Sequence, residues 1–104
     1  GQEAVLKLKE FIPQNLANLA WAFATTSIRD LPLLHAIAEE AVAKARHFSP
    51  QGLSNLLWAM STLLVSEAGA VHTLSAEAAK QLKSFKLQEL ANLAWAQATL
   101  RSTP

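Results

Sequence analysis

The stretch FIPQNLANLAWAFAT, residues 11–25, returns without a gap as FSPQGLSNLLWAMST at 48–62 and as FKLQELANLAWAQAT at 85–99. Phe11, Phe48 and Phe85 stand 37 residues apart, and the same offset relates Asn18, Asn55 and Asn92, and Trp21, Trp58 and Trp95. The intervening segments keep this register: Glu3-Ala4-Val5 matches Glu40-Ala41-Val42 and Glu77-Ala78-Ala79, and His35 matches His72. A fixed period of this length marks a repeat architecture, in which one supersecondary unit cannot bury its apolar faces alone and neighbours must stack. The 104 residues read as one array: the end of a repeat (1–10), two full repeats (11–47 and 48–84) and a partial one (85–104). Because 1–10 matches 38–47, the chain is expected to be a piece of a longer array.

Each unit contains two helical patterns. The first, over about residues 13–27, carries Leu16, Leu19, Ala20 and Phe23 on one face and Ala17, Trp21, Ala24 and Ile28 on the adjoining one. Most of its circumference is therefore expected to be buried, as in an inner helix. The second, over about 31–47, buries Leu34, Ile37, Ala38, Ala41, Val42 and Ala45 and exposes Glu39, Glu40, Lys44 and Arg46. Helix starts are marked by Asp30 before Leu31-Pro32, by Ser49-Pro50 and by Ser66-Glu67. The expected fold is all-α, a right-handed α-solenoid of stacked helix-turn-helix hairpins with a 37-residue repeat.

Composition narrows the possible chemistry. With 51% hydrophobic residues and 16% charged the chain is globular, and its apolar runs are too broken for a bilayer span. There is no cysteine, which excludes disulfides, thiolate metal sites and cysteine nucleophiles. The net charge of +1 argues against strong non-specific nucleic-acid binding, which scales with the number of phosphates neutralised.

The motif F-x-P-Q-x-L-[AS]-N-L-x-W-A resembles the octotricopeptide repeat family, and is similar to the repeats that precede the RNA-binding RAP module in FAST-kinase-like organelle proteins. The residues that carry the likeness are Pro13, Gln14, Leu16, Asn18 and Trp21, then Pro50, Gln51, Leu53, Asn55 and Trp58. The third copy departs from it, with Leu87 in place of proline and Gln97 where Phe23 and Met60 stand. The resemblance implies a non-catalytic RNA-binding module in a mitochondrion or plastid, acting in transcript stabilisation, splicing, or ribosomal RNA maturation and assembly.

Read from the residues, the candidate contacts form two sets. Asn18, Asn55 and Asn92 sit mid-helix, where asparagine competes for backbone hydrogen bonds and needs a partner. Either each amide bonds to backbone within the stack, the more economical reading, or the amides line a concave wall and contact a base edge or an extended peptide. Gln14, Gln51 and Gln88 recur near the start of the same helix, followed by the varying position Asn15, Gly52 and Glu89. A constant frame around a variable residue suits reading one nucleotide per unit, although drift near a loop gives the same pattern and is favoured.

The second set is basic: Lys9, Arg46 and Lys83 in register, and Lys7 with Lys44, while Lys80 lies beside the third equivalent position and Lys86, Arg29 and Arg101 extend the path. Such a stripe could follow a phosphate backbone, but cations also offset helix dipoles, and Glu3 to Lys7 and Glu40 to Lys44 are favourable pairs four residues apart. The small neighbours of Trp21, Trp58 and Trp95 assign the indoles to the inter-repeat core rather than to base stacking.

Catalysis is not expected. His35 and His72 should lie about 8–10 Å apart, too far to share a metal. There is no phosphate-cradling glycine loop or nucleophile motif, and Asp30, Glu67, Glu3, Glu40 and Glu77 do not converge. No metal, cofactor, small-molecule substrate or membrane insertion is expected, and the partner is single-stranded RNA or, alternatively, the protein subunits of a larger assembly that the array scaffolds.

Overall fold

The computed structural model describes residues 7–63, 65 and 68–102, in which all regular structure is helical, joined by short turns, and no strand occurs. Five α-helices follow one another: α1 (Pro13–Thr25), α2 (Leu31–Ala43), α3 (Pro50–Thr62), α4 (Ala68–Lys80) and α5 (Leu87–Ser102). A single 3₁₀ turn precedes each odd-numbered helix: η1 (Leu8–Glu10), η2 (Ala45–His47) and η3 (Leu82–Ser84). All three classes of element begin 37 residues after their previous occurrence. The matched segment Glu3-Ala4-Val5, the Glu3 to Lys7 pair and the Ser66-Glu67 helix start involve residues outside those described, as does the side chain of Arg101.

The helices form two layers. α1, α3 and α5 lie side by side with α3 in the middle, and α2 and α4 pair in a second layer, α2 on α1 and α4 on α3. Only α3 is flanked on both sides, and it buries Gly52, Leu53, Ser54, Leu56, Leu57, Ala59, Met60 and Ser61. Its neighbour α1 buries only Leu16, Ala17, Ala20 and Ala24. The expected near-complete burial of an inner helix therefore holds for α3 alone, because α1 and α5 each have one open flank, and Ile28, past the end of α1, is exposed.

Local chemistry sets the helix ends. Asp30 and Ser49 accept hydrogen bonds from the amides of Leu33 (3.2 Å) and Gly52 (3.0 Å), satisfying donors that the first helical turn leaves free. α1 stops two residues short of the expected Ser27 because Ser27 turns into the left-handed region (φ 58°). The Ile28 and Ser27 amides then donate back to the Phe23 and Ala24 carbonyls, the pattern of a Schellman cap. Past the end of α3 the Val65 amide donates to the Met60 carbonyl at 2.8 Å. The outer helix α2 likewise ends at Ala43 rather than continuing to His47, since Lys44 leaves the helical region (φ −114°, ψ 15°) and the chain tightens into η2.

A polar tether ties the end of each outer helix back to the chain just before the inner helix of its own hairpin. Lys44 Nζ donates to the carbonyls of Phe11 (2.6 Å) and Lys9 (2.9 Å) and pairs with Glu40 at 3.2 Å. One period later Gln81 Nε2 donates to the Phe48 carbonyl (3.0 Å) and to Glu77 (3.3 Å). The same position thus does the same work with two different side chains, which sequence register alone could not show for Gln81.

Two substitutions test this account of the packing. Ser54 is fully buried and its hydroxyl has no partner among the described residues, whereas the equivalent positions hold Ala17 and Ala91. Ser54→Ala should raise the unfolding free energy by about 1 kcal/mol, because an unsatisfied buried hydroxyl is removed. Lys44→Met should lower it by about 1–3 kcal/mol through loss of charge-assisted bonds to two backbone carbonyls. Urea unfolding followed by circular dichroism measures both, and loss of stability in the alanine variant would contradict the first assignment.

Candidate partner-binding face

Five candidate residues share one groove. Gln14 and Asn18 from α1, Gln51 and Asn55 from α3, and Gly52 line a depression of about 380 Å³, closed at one end by Ile12, Pro13, His47, Phe48 and Ser49. Since the N-terminal halves of both helices line it, α1 and α3 run in the same direction there. The groove therefore sits at two helix N-termini, where the dipole favours negative charge.

The carboxamides in this groove are unused. Among the described residues, Gln14, Asn18, Gln51 and Asn55 make no side-chain hydrogen bond to protein; Gln14, Asn18 and Gln51 are exposed and Asn55 is half-buried. The expected ladder of amides bonded to backbone within the stack is absent at these positions. In α5 the equivalent pair is satisfied internally, with Gln88 Nε2 donating to Asn92 Oδ1 at 3.1 Å. A free primary amide offers two donors and an acceptor that accepts twice, which suits the mixed edge of a nucleobase or a peptide group.

The varying position has a structural use. Asn15 Oδ1 accepts from the Ile12 amide (3.2 Å) and Glu89 Oε1 accepts from the Lys86 amide (2.8 Å). Each side chain reaches back to cap its own helix. In α3 that bond is replaced by the Ser49 hydroxyl, and the residue at the same position is Gly52. A Cβ on Gly52 would stand 3.2 Å from the Phe48 ring and 3.3 Å from the Ser49 hydroxyl, so the small residue and the serine cap go together. The variation among Asn15, Gly52 and Glu89 thus follows the capping solution each helix uses.

The basic residues separate into two groups. Lys9, Arg46 and Lys83 are exposed, lie on η1, η2 and η3, and form no ion pair among the described residues. Each turn leads into the start of an inner helix, which places these cations at the same end of the molecule as Gln14, Gln51 and Gln88. Lys7 and Lys86 are also exposed. Lys44 is committed to the tether described above, Lys80 pairs with Glu77 (3.7 Å), and Arg29 Nε donates to the Leu63 carbonyl (2.7 Å) beyond the C-terminus of α3. Arg29 therefore belongs to the opposite end of the inner layer. His35 and His72 are exposed on the outer layer, away from the groove.

For Trp21 and Trp95 the expected core position fails, whereas Trp58 is half-buried and packs against the core. Trp21 is 37% exposed and Trp95 51% exposed, and the Trp21 and Trp58 rings lie against each other with centroids 4.5 Å apart at an interplanar angle of 34°. They stand at the edge of the core, on the same helical face as the free amides. Gln14, Asn18, Trp21 and Thr25 are separated by four, three and four residues, which at 100° per residue confines them to an arc of about 60°. The spacing was visible in the sequence. The alanines around Trp21 suggested a pocket, but its polar companions seven and three residues before and four after mark the open side.

The indoles should respond accordingly. Replacing Trp21 and Trp95 by Phe, leaving Trp58, should blue-shift the emission and reduce acrylamide quenching severalfold relative to the parent, since exposed indoles dominate accessibility. Equal quenching of all variants would place the three rings in one environment and contradict this geometry.

No protein-family model, curated protein sequence or solved structure matches the chain, so its functional assignment rests on the sequence motif and on the geometry of this face.

Proposed function

We propose that the chain is a segment of right-handed α-solenoid, built on a 37-residue repeat, that binds single-stranded RNA along the open face of its inner helices and performs no catalysis. The observation that carries this reading is the coincidence on one face of four unbonded carboxamides with partly exposed tryptophans, two of which, Trp21 and Trp58, pack ring against ring. Flexible single strands are held by stacking on aromatic rings and read through hydrogen bonds to base edges. Lys9, Arg46 and Lys83, one per unit near the helix starts, supply phosphate contacts at a spacing set by helix packing, about 8–10 Å. The resemblance to octotricopeptide repeats supports the same reading and carries with it an organellar setting, mitochondrial or plastid.

A scaffold for protein subunits is the competing reading, and the absence of charge from residues 11–27 and 48–65 favours it. An extended peptide would use the same amides without needing the cations. Salt dependence separates the two readings.

Titration of labelled single-stranded RNA pools should give a log affinity that falls with log salt at a slope near −2, about −0.7 for each of three phosphates. The Lys9→Ala/Arg46→Ala/Lys83→Ala variant should flatten that slope towards zero. Trp95→Ala should weaken binding by about 5- to 100-fold, the cost of one lost stacking contact of about 1–3 kcal/mol. Asn18→Ala/Asn55→Ala should weaken it with an unchanged salt slope. Undetectable RNA binding by the parent protein, at low salt as well as high, would eliminate the RNA reading.

A further inference from the structure

The residues displayed on the open face do not change from unit to unit. Gln51, Asn55, Trp58 and Thr62 on α3 each have the same residue type 37 positions before and 37 positions after. On α3, which has an inner helix on either side, Gln51 is exposed and the other three are half-buried, so this face stays open where both neighbours are in place. Variation falls elsewhere. Asn15, Gly52 and Glu89 differ according to how each helix is capped. Just before the helix stand Ile12, which has no polar group, Ser49, whose oxygen accepts from the Gly52 amide, and Lys86, a cation. His47, at the end of the groove, replaces Glu10 and Ser84 on the turns that carry Lys9, Arg46 and Lys83. Gln97, in place of Phe23 and Met60, turns to the outer layer and donates to Ser75 Oγ at 2.5 Å.

The displayed groups are also the ones least able to tell bases apart. A carboxamide puts a donor next to an acceptor, and one with no hydrogen bond of its own can turn over and present either order. The pairing edge of every base carries an adjacent donor and acceptor: an amino group beside a ring nitrogen in adenine and cytosine, a carbonyl beside a ring N–H in guanine and uracil. Free amides on α1 and α3 therefore match all four. In α5, Gln88 donates to Asn92 at 3.1 Å, and turning both amides over together preserves that bond. The side chains that single out a base are mostly charged, arginine for guanine and carboxylates for the cytosine amino group. Residues 11–27 and 48–65 contain no charged side chain, and Glu89 is occupied by the Lys86 amide. Indoles stack on any base.

We propose that this face holds single-stranded RNA without regard to base sequence, each unit offering the same amide pair and indole to whichever base arrives. Resting on the RNA reading and narrowing it, this makes the chain a segment that coats unpaired stretches rather than one that recognises a single transcript. A code read unit by unit requires displayed residues that differ between units, and here they are identical. Identical units with a fixed donor and acceptor order would instead select a run of one base, which amides free to turn over do not do. Affinity comes from stacking and from Lys9, Arg46 and Lys83 on phosphates, neither of which depends on the base.

Strands of equal length and different base content test it. Labelled homopolymers of adenosine, cytidine and uridine, and an alternating uridine–guanosine strand, are titrated with the chain at one low salt concentration. Their affinities should lie within about tenfold of one another, the spread left by unequal stacking. A preference above about tenfold for any one strand overturns the proposal, since each base read by a directional pair adds about 5- to 150-fold. A variant supplies the converse. Gln51→Glu replaces an amide by a group that only accepts, and it pairs with the two adjacent N–H groups of guanine as with no other base. The uridine–guanosine strand should then gain about fivefold or more over the uridine homopolymer relative to the same ratio in the parent. An unchanged ratio places the amide away from the base edge and also overturns the proposal. Circular dichroism reports whether the variant folds, and Asn55→Asp takes its place if it does not. No measurable binding of any strand by the parent removes the RNA reading itself, a result distinct from tight binding of one strand alone.

Discussion

The structure depends on the confinement of α3. It is flanked by α1 and α5 and backed by α4, so three sides of an uncharged helix are sealed and only the arc carrying Gln51, Asn55 and Trp58 reaches solvent. Close approach on the flanks requires small or compact side chains, which Ala17, Ala20, Ala24, Gly52 and Ala59 provide. Placing a charge on those flanks would bury it without a counter-ion, at a cost no local rearrangement could recover. The lack of charge on α1 and α3 is thus a packing requirement, and it leaves Lys9, Arg46 and Lys83 on the turns and Lys44 and Lys80 at the ends of the outer helices.

From that confinement the character of the open face follows. An inner helix cannot display many residues, and those it does display recur with the repeat, so the face becomes a ladder of one amide pair and one indole per unit. The cations occupy the turns before the inner helices, at one end of the ladder. The second layer carries the exposed His35 and His72 together with Glu39, Glu40 and Glu77, and among the described residues no His, Asp or Glu cluster could hold a metal ion. No described helix is long and apolar enough to cross a membrane.

Polar tethering explains how the two helices within each unit hold their register while the sequences of the units diverge. Packing of alanine and leucine faces tolerates sliding and rotation, but a side chain donating to one specified carbonyl does not. Lys44 and Gln81 meet this requirement with different chemistry, one as an ion-paired ammonium and the other as an amide. The helix starts show the same substitution of means, with Asn15 and Glu89 accepting from the amide that precedes the helix and Ser49 accepting instead from the Gly52 amide inside it.

How much was legible beforehand differs by level. Helical periodicity, the Asp30 and Ser49 caps and the 37-residue spacing of the elements were readable because they depend on residues close in sequence, where local geometry leaves few options. The ends of α1 and α2 were less so, since a left-handed serine and a tightening turn win over periodic apolar residues that would otherwise prolong the helices. What only the tertiary structure decided was which faces of otherwise equivalent helices are covered. Identical positions are buried on α3 and open on α5 because burial depends on having a neighbour, and a neighbour is not a property of local sequence. The same reason moved Trp21 and Trp95 from the expected core to the edge of an open face, and left Gln14, Asn18, Gln51 and Asn55 with hydrogen bonds still to make.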